Sequence, residues 1–311
     1  MDKHSLSAAG KGAALLPVAF VLMLCLPLVA ASDYMVLVAN IGCTVGIVVL
    51  GMVVLVGYTG QLSLGNVAFY SIGAYIAAIT ATRWNLNPWL GLVLAFVLTG
   101  MVGTLIGIPS FNLRGPFLVI VTIGFAEIVK ILALNLVNLT GGPFGISGIP
   151  PIPFFGIDLS EPVPFYYFIT VILFAMIFLI RRVRDSRTGR AMMAVMNDEI
   201  AADIMGVNVN RIKLLSFTIS ASFAGLGGAL FAYFSAYIVT DMFTFNESAQ
   251  YLVMTVVGGF NALFSPLVGV FLTMLPELLR FLQEYYMLIF SFILMVSVVF
   301  AAWRQNKQME E

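Results

Sequence analysis

Charged side chains are scarce: Asp, Glu, Lys and Arg make up 10% of the 311 residues, against 61% hydrophobic ones. A soluble domain carries about 25% charged residues. A soluble fold of this length exposes too much surface for such a composition to serve, so lipid is the expected solvent. Histidine is nearly absent. His4 stands alone in a polar N-terminal tail, which excludes a His-based metal site and a His general base. The two cysteines, Cys25 and Cys43, lie in apolar runs and read as packing residues rather than a disulfide or metal pair. Net charge is zero, so no global field recruits nucleic acid. A phosphate-binding Gly-Lys-Ser/Thr motif is missing. Gly10-Lys11 is followed by Gly12, so ATP hydrolysis by this chain is not expected, and no cofactor is implied.

What is present is a series of long apolar runs. A spanning helix needs about 20 mostly apolar residues. Charge is absent from Gly12 to Ser32, Tyr34 to Thr82, Trp84 to Leu113, Pro162 to Ile180, Leu214 to Thr240 and Tyr285 to Trp303. The second run is long enough for two crossings, with a turn at Gly57-Tyr58-Thr59-Gly60-Gln61. Another span runs from about Gly115 to Val137, interrupted by Glu127 and Lys130. Two shorter ones fit between Ser248 and Arg280, divided near Gly258-Gly259-Phe260-Asn261 and Pro266. The expected fold is an all-α polytopic membrane helix bundle, about ten transmembrane helices in two related halves. The first run is read as a retained helix. A signal peptide is the alternative, given Lys3, Lys11 and the Ala30-Ala31-Ser32 stretch.

With an inside N-terminus, twelve of the fifteen Lys and Arg residues fall in inside segments. That asymmetry places both termini in the cytoplasm and residues 138–164 outside. A weak internal repeat is visible too. Val56 to Leu62 and Val257 to Leu263 each carry an apolar run into glycines, then an amide side chain. Paired Gly-interrupted segments point to a transport pathway; close helix packing by glycine is the plainer explanation.

The one sizeable hydrophilic segment is residues 181–213, expected on the cytoplasmic side. A short helix is predicted within it. Asn197 suits the N-cap, and Asp198 and Glu199 suit the positive helix end. Ile200, Ala201, Ile204 and Met205 make an apolar stripe, and Gly206 suits the C′ position. Glu199 and Asp203 are like charges at i,i+4, which a positively charged partner would relieve. A helix lying on membrane lipid is the alternative.

Within the apolar runs, Gln61, Ser63 and Asn66 follow a Gly-rich break, and Asn261 holds the matching place in the second half. In lipid such groups need partners or a wet cavity. They either line a pathway or hydrogen-bond between helices. Glu127 and Lys130 at i,i+3 read as an intramembrane ion pair, functional or bracing. The external stretch Thr140 to Ile146 reads as a packed lid or docking loop rather than a flexible linker.

Several stretches together resemble the LivM-type permeases of ABC importers for branched-chain amino acids. They are Gly57 to Ala78, Leu113 to Leu132, Leu139 to Pro150, Ser186 to Phe217, Phe223 to Tyr233 and Val256 to Arg280. The resemblance implies a single permease domain over residues 1–311, set in a bacterial inner membrane. It implies a LivH-type second permease, two cytoplasmic ATPase subunits and a periplasmic binding protein that hands over substrate. It implies that Asp198 to Gly206, including Ala201 and Ala202, docks into an ATPase groove. Closure of the ATPases is then expected to move that helix as a lever that rocks the two halves. Importers of urea and short amides share much of the pattern, so substrate identity stays open. An ion-coupled secondary transporter is the rival reading, with Glu127 its one clear acidic candidate.

Overall fold

A computed structural model describes residues 16–28, 33–109, 115–154, 159–278 and 295. The expected span at Tyr285 to Trp303 lies outside the described residues. So do His4, Lys3, Lys11, Arg114, Arg280, Arg304 and Lys307.

The described chain is almost wholly helical. The helices are α1 (Leu16–Leu28), α2 (Asp33–Met52), α3 (Asn66–Thr82), α4 (Pro88–Gly107), α5 (Pro116–Asn135) and the single turn α6 (Val137–Thr140). After them come α7 (Pro162–Asp185), α8 (Arg187–Asn197), α9 (Glu199–Ile204), α10 (Val209–Ser235), α11 (Phe245–Val257) and α12 (Phe264–Leu278). Starts follow sequence chemistry. Pro occupies the first turn of α4, α5 and α7, where its missing N–H costs nothing. Asn87, Ser186, Asp198 and Asn208 cap α4, α8, α9 and α10 with side-chain oxygens.

Among the described residues five helices are long and apolar enough to cross a membrane: α2 with its extension to Gly57, α4, α5, α7 and α10. A multi-pass membrane bundle follows. Helix α11 has 13 residues, and the described part of α12 has 15. At a rise of 1.5 Å per residue α11 reaches only about 20 Å, short of the hydrocarbon core.

The centre of the bundle is α2, where 89% of the apolar window is buried, packed between α10, α12 and α7. Helix α10 lies against α3 and α4 through small residues. An added Cβ at Gly73 would overlap the Gly225 carbonyl, and one at Gly228 would overlap the Tyr70 carbonyl. Such approach needs glycine, because lipid offers no hydrophobic drive between helices and packing must supply the attraction. Cys43 is buried within α2, whereas Cys25 on α1 is exposed, so only one of the two cysteines is a packing residue.

Loops gather at two ends. At one end residues 138–154 fold back on the C-terminal end of α10. Two-residue strands β1 (Ile146–Ser147) and β2 (Tyr237–Ile238) pair antiparallel, Ile146 opposite Ile238. Thr140, Ile146, Ile149 and Ile152 are buried there. Arg83 donates to the Asn138 carbonyl and Trp89 Nε1 to that of Pro153, 2.9 Å away. This segment is therefore packed, not a linker. At the other end lie the chain break at 60–65, the loop at 258–261, and α8 with α9.

Candidate functional site

The break between α2 and α3 is built by a change of helical pitch. Residues Val53–Gly57 form a π-helical turn, which leaves the following backbone to be satisfied irregularly. Gly60 N–H donates to the Val56 carbonyl and Gln61 N–H to that of Leu55, both at 3.1 Å. Gly60 has φ of +69°, the left-handed region that glycine enters freely.

Gln61 is the hub. Thr59 Oγ1 donates to the Leu55 carbonyl at 2.7 Å, and Ser216 Oγ donates to the Lys213 carbonyl at 2.8 Å. Both hydroxyls are then free to accept from Gln61 Nε2, at 3.0 Å and 2.8 Å. The Lys213 carbonyl also lies 3.2 Å from Nε2. Ser63 is fully buried and its Oγ accepts from Gly65 N–H. Asn66, equally buried, donates from Nδ2 to Ser220 Oγ at 3.3 Å. The break is held from other sides too: Leu64 N–H donates to Thr122 on α5, and Val67 N–H to Ser248 on α11. The structure thus brings Gln61, Ser63 and Asn66 together in protein packing, with two of them tied to α10.

Asn261 follows Phe260 in the second Gly-rich break. Its Oδ1 accepts from Leu263 N–H at 2.9 Å, shaping the turn that enters α12. The two Gly-rich breaks touch: a Cβ on Gly57 would meet Phe260 Cβ at 2.8 Å. Phe260 itself holds φ of +56°, strained for an aromatic residue. The two segments matched by sequence pattern are neighbours in space.

Glu127 and Lys130 are not brought into an ion pair among the described residues. Glu127 is exposed near the middle of α5, while Lys130 is half-buried beside Val67, Ser71 and Thr240. The i,i+3 spacing allows contact, but Lys130 is turned into the bundle and Glu127 away from it. Helix α5 is peripheral, with 17% of its apolar window buried.

The short hydrophilic helix forms as α9, with its start corrected by one residue. Asn197 ends α8, and Asp198 is the N-cap, its Oδ1 accepting from Ile200 and Ala201 N–H at 2.8 and 3.1 Å. Its end is a Schellman pair. Gly206 N–H bonds the Asp203 carbonyl and Val207 N–H the Ala202 carbonyl, with Gly206 at φ +84°. Ala202 turns inward and is buried. Ala201 is exposed, and Ile200, Ile204 and Met205 are 65%, 80% and 83% exposed. Six capped residues thus carry an open apolar face. The charge relief expected from outside is partly internal: Glu199 Oε1 lies 2.6 Å from the ammonium of Lys213 on α10. Lys213 is 14 positions away in sequence and gives no local signal of that pairing. No metal-binding group of His, Cys, Asp or Glu occurs among the described residues.

A family model described as "Branched-chain amino acid transport system / permease component" matches residues 34–299. The high-affinity branched-chain amino acid transport system permease protein LivM of Salmonella typhimurium is 39% identical over 279 residues. That match covers 82% of this chain and 65% of the relative. LivM of Escherichia coli K12 is 38% identical with the same coverage, so the chain spans under two thirds of these relatives' length. LivH of Escherichia coli K12 is 23% identical over 284 residues, covering 84% of this chain and 90% of LivH. No solved structure matches.

Proposed function

The chain belongs to the family of branched-chain amino acid transport permease components, and we propose that it is one membrane half of an ATP-driven importer for such amino acids. The observation that carries the reading is α9: a capped, six-residue helix that presents Ile200, Ile204 and Met205 outward. It stands at the end of the bundle where the α2–α3 break lies. A cytoplasmic ATPase docked on it would supply the energy this chain's own residues do not. Two such ATPases act below, and a periplasmic binding protein hands over substrate above, onto the packed 138–154 segment.

A LivH-type permease is the proposed second half. Glu127 supports this. A carboxylate exposed near the middle of an apolar helix is costly against lipid. A partner subunit or a wet pathway along α5 removes that cost. The full chain is proposed to cross a bacterial inner membrane ten times as two related halves, with both termini cytoplasmic. The contact of Gly57 with Phe260, joining the two Gly-rich breaks, supports the paired halves. Gln61, Ser63, Asn66 and Asn261 are proposed to stand at the base of the pathway. The bonds of Gln61 and Asn66 to α10 favour bracing for those two, whereas, among the described residues, Ser63 and Asn261 bond only within their own turns.

The test replaces exposed residues only, because Glu199 is tied to Lys213. Ile200→Asp with Ile204→Asp should cut co-purification of the ATPases by about tenfold or more, while the chain still inserts. Unchanged co-purification would remove the docking role.

A further inference from the structure

Lys213 is an ammonium-bearing residue in the second turn of α10, and it is 3% exposed. A buried ammonium persists only with a counter-charge, and a bare structural role at such a position is served as well by Met or Leu. Its counter-charge is Glu199, whose side chain is 28% exposed and belongs to α9. A polar cavity of about 330 Å³, lined by Glu199, Asp203, Asn208 and Lys213, opens beside the pair. The backbone of the same lysine takes separate partners. Its carbonyl accepts from Ser216 Oγ at 2.8 Å and lies 3.2 Å from Gln61 Nε2. Gln61 in turn holds Thr59, which closes onto the π turn of α2 through the Leu55 carbonyl.

We propose that Lys213 is the positioning residue that transmits displacement of α9 to the break between α2 and α3. Its side chain grips the docking helix, and its carbonyl grips Gln61. A push on α9 shifts the start of α10, and the shift reaches Gln61 and Thr59 where α2 loosens into π geometry. The chain of contacts is Glu199, Lys213, Ser216, Gln61, Thr59 and Leu55, each step within hydrogen-bonding or ion-pair distance. An ion pair suits the first step because a buried ammonium parted from its counter-charge is costly, so the two groups move together.

This inference rests on the permease reading, and two experiments separate their fates. The first uses the assembled complex with second permease, ATPases and binding protein in proteoliposomes, measuring leucine taken up per ATP hydrolysed. Lys213→Met should lower that ratio about tenfold, and the exchanged pair Glu199→Lys with Lys213→Glu should restore much of it. A ratio unchanged in Lys213→Met, or an exchanged pair no better than the single variants, overturns the inference. Failure of the ATPases to co-purify with the unaltered chain would instead overturn the permease reading. The second experiment uses this chain alone, with Glu199→Gln, which alters only a partly exposed group. Hydrogen exchange at the amides of residues 60–61 should quicken by about tenfold as the grip on Lys213 loosens. Unaltered exchange there overturns the inference even if Lys213→Met proves too unstable to assemble.

Discussion

At the residue scale, Gln61 decides between two roles that its sequence leaves open. A polar residue in a charge-free stretch either braces helices or faces water. Its amide serves two hydroxyls and a carbonyl from α10 and the break. Gln61→Leu should therefore cost about 1 kcal/mol of stability, seen as a lower thermal midpoint in detergent. A variant with wild-type stability but altered uptake would instead make Gln61 a pathway wall. The cap of α9 shows how far local chemistry reaches. Asn197 and Asp198 are both good caps, and propensity cannot separate neighbours. The choice falls to Asp198 because α8 runs on through Asn197. The Glu199–Lys213 pair was out of reach, since nothing in sequence marks which distant cation a carboxylate meets.

At the element scale, charge-free runs locate most helices well, because burying charge in lipid is expensive and leaves a clear signature. The division of Ser248 to Arg280 into α11 and α12, and the break before α3, follow glycines legible in the sequence. The π turn at Val53–Gly57 is not legible, since Val and Leu carry no mark of a wider pitch. Helix α8 is hidden by its basic run, and it forms because Ser186 caps it through Gly189 N–H at 3.2 Å. Small-residue packing gives a sharp expectation. A side chain on Gly225 meets Thr99 at 2.5 Å, whereas one on Gly124 meets nothing within 4 Å. Gly225→Val should cost about 3 kcal/mol and lower the yield of folded protein in detergent chromatography. Gly124→Ala should leave this chain's stability unchanged. Equal tolerance at both sites would contradict the close packing of α10 on α3 and α4.

At the scale of the whole molecule, the chain is a bundle with a busy core and an underused rim. Helices α2 and α10 are sheathed by neighbours, while α5 presents Glu127 on a face left open among the described residues. Helix α9 offers an apolar face at the other site of incompleteness. Both suit a subunit that works only inside an assembly. Sequence pattern makes the one outlying helix legible, through its cap, apolar stripe and closing glycine. It does not anticipate the tie from that helix to the break, which exists only once α10 is folded against α2. The most direct test is leucine uptake into proteoliposomes holding this chain with its proposed second permease, ATPases and binding protein. The account predicts uptake that requires ATP and the binding protein and is lost with Ile200→Asp and Ile204→Asp. Uptake by this chain alone, driven by an ion gradient without ATP, would contradict it.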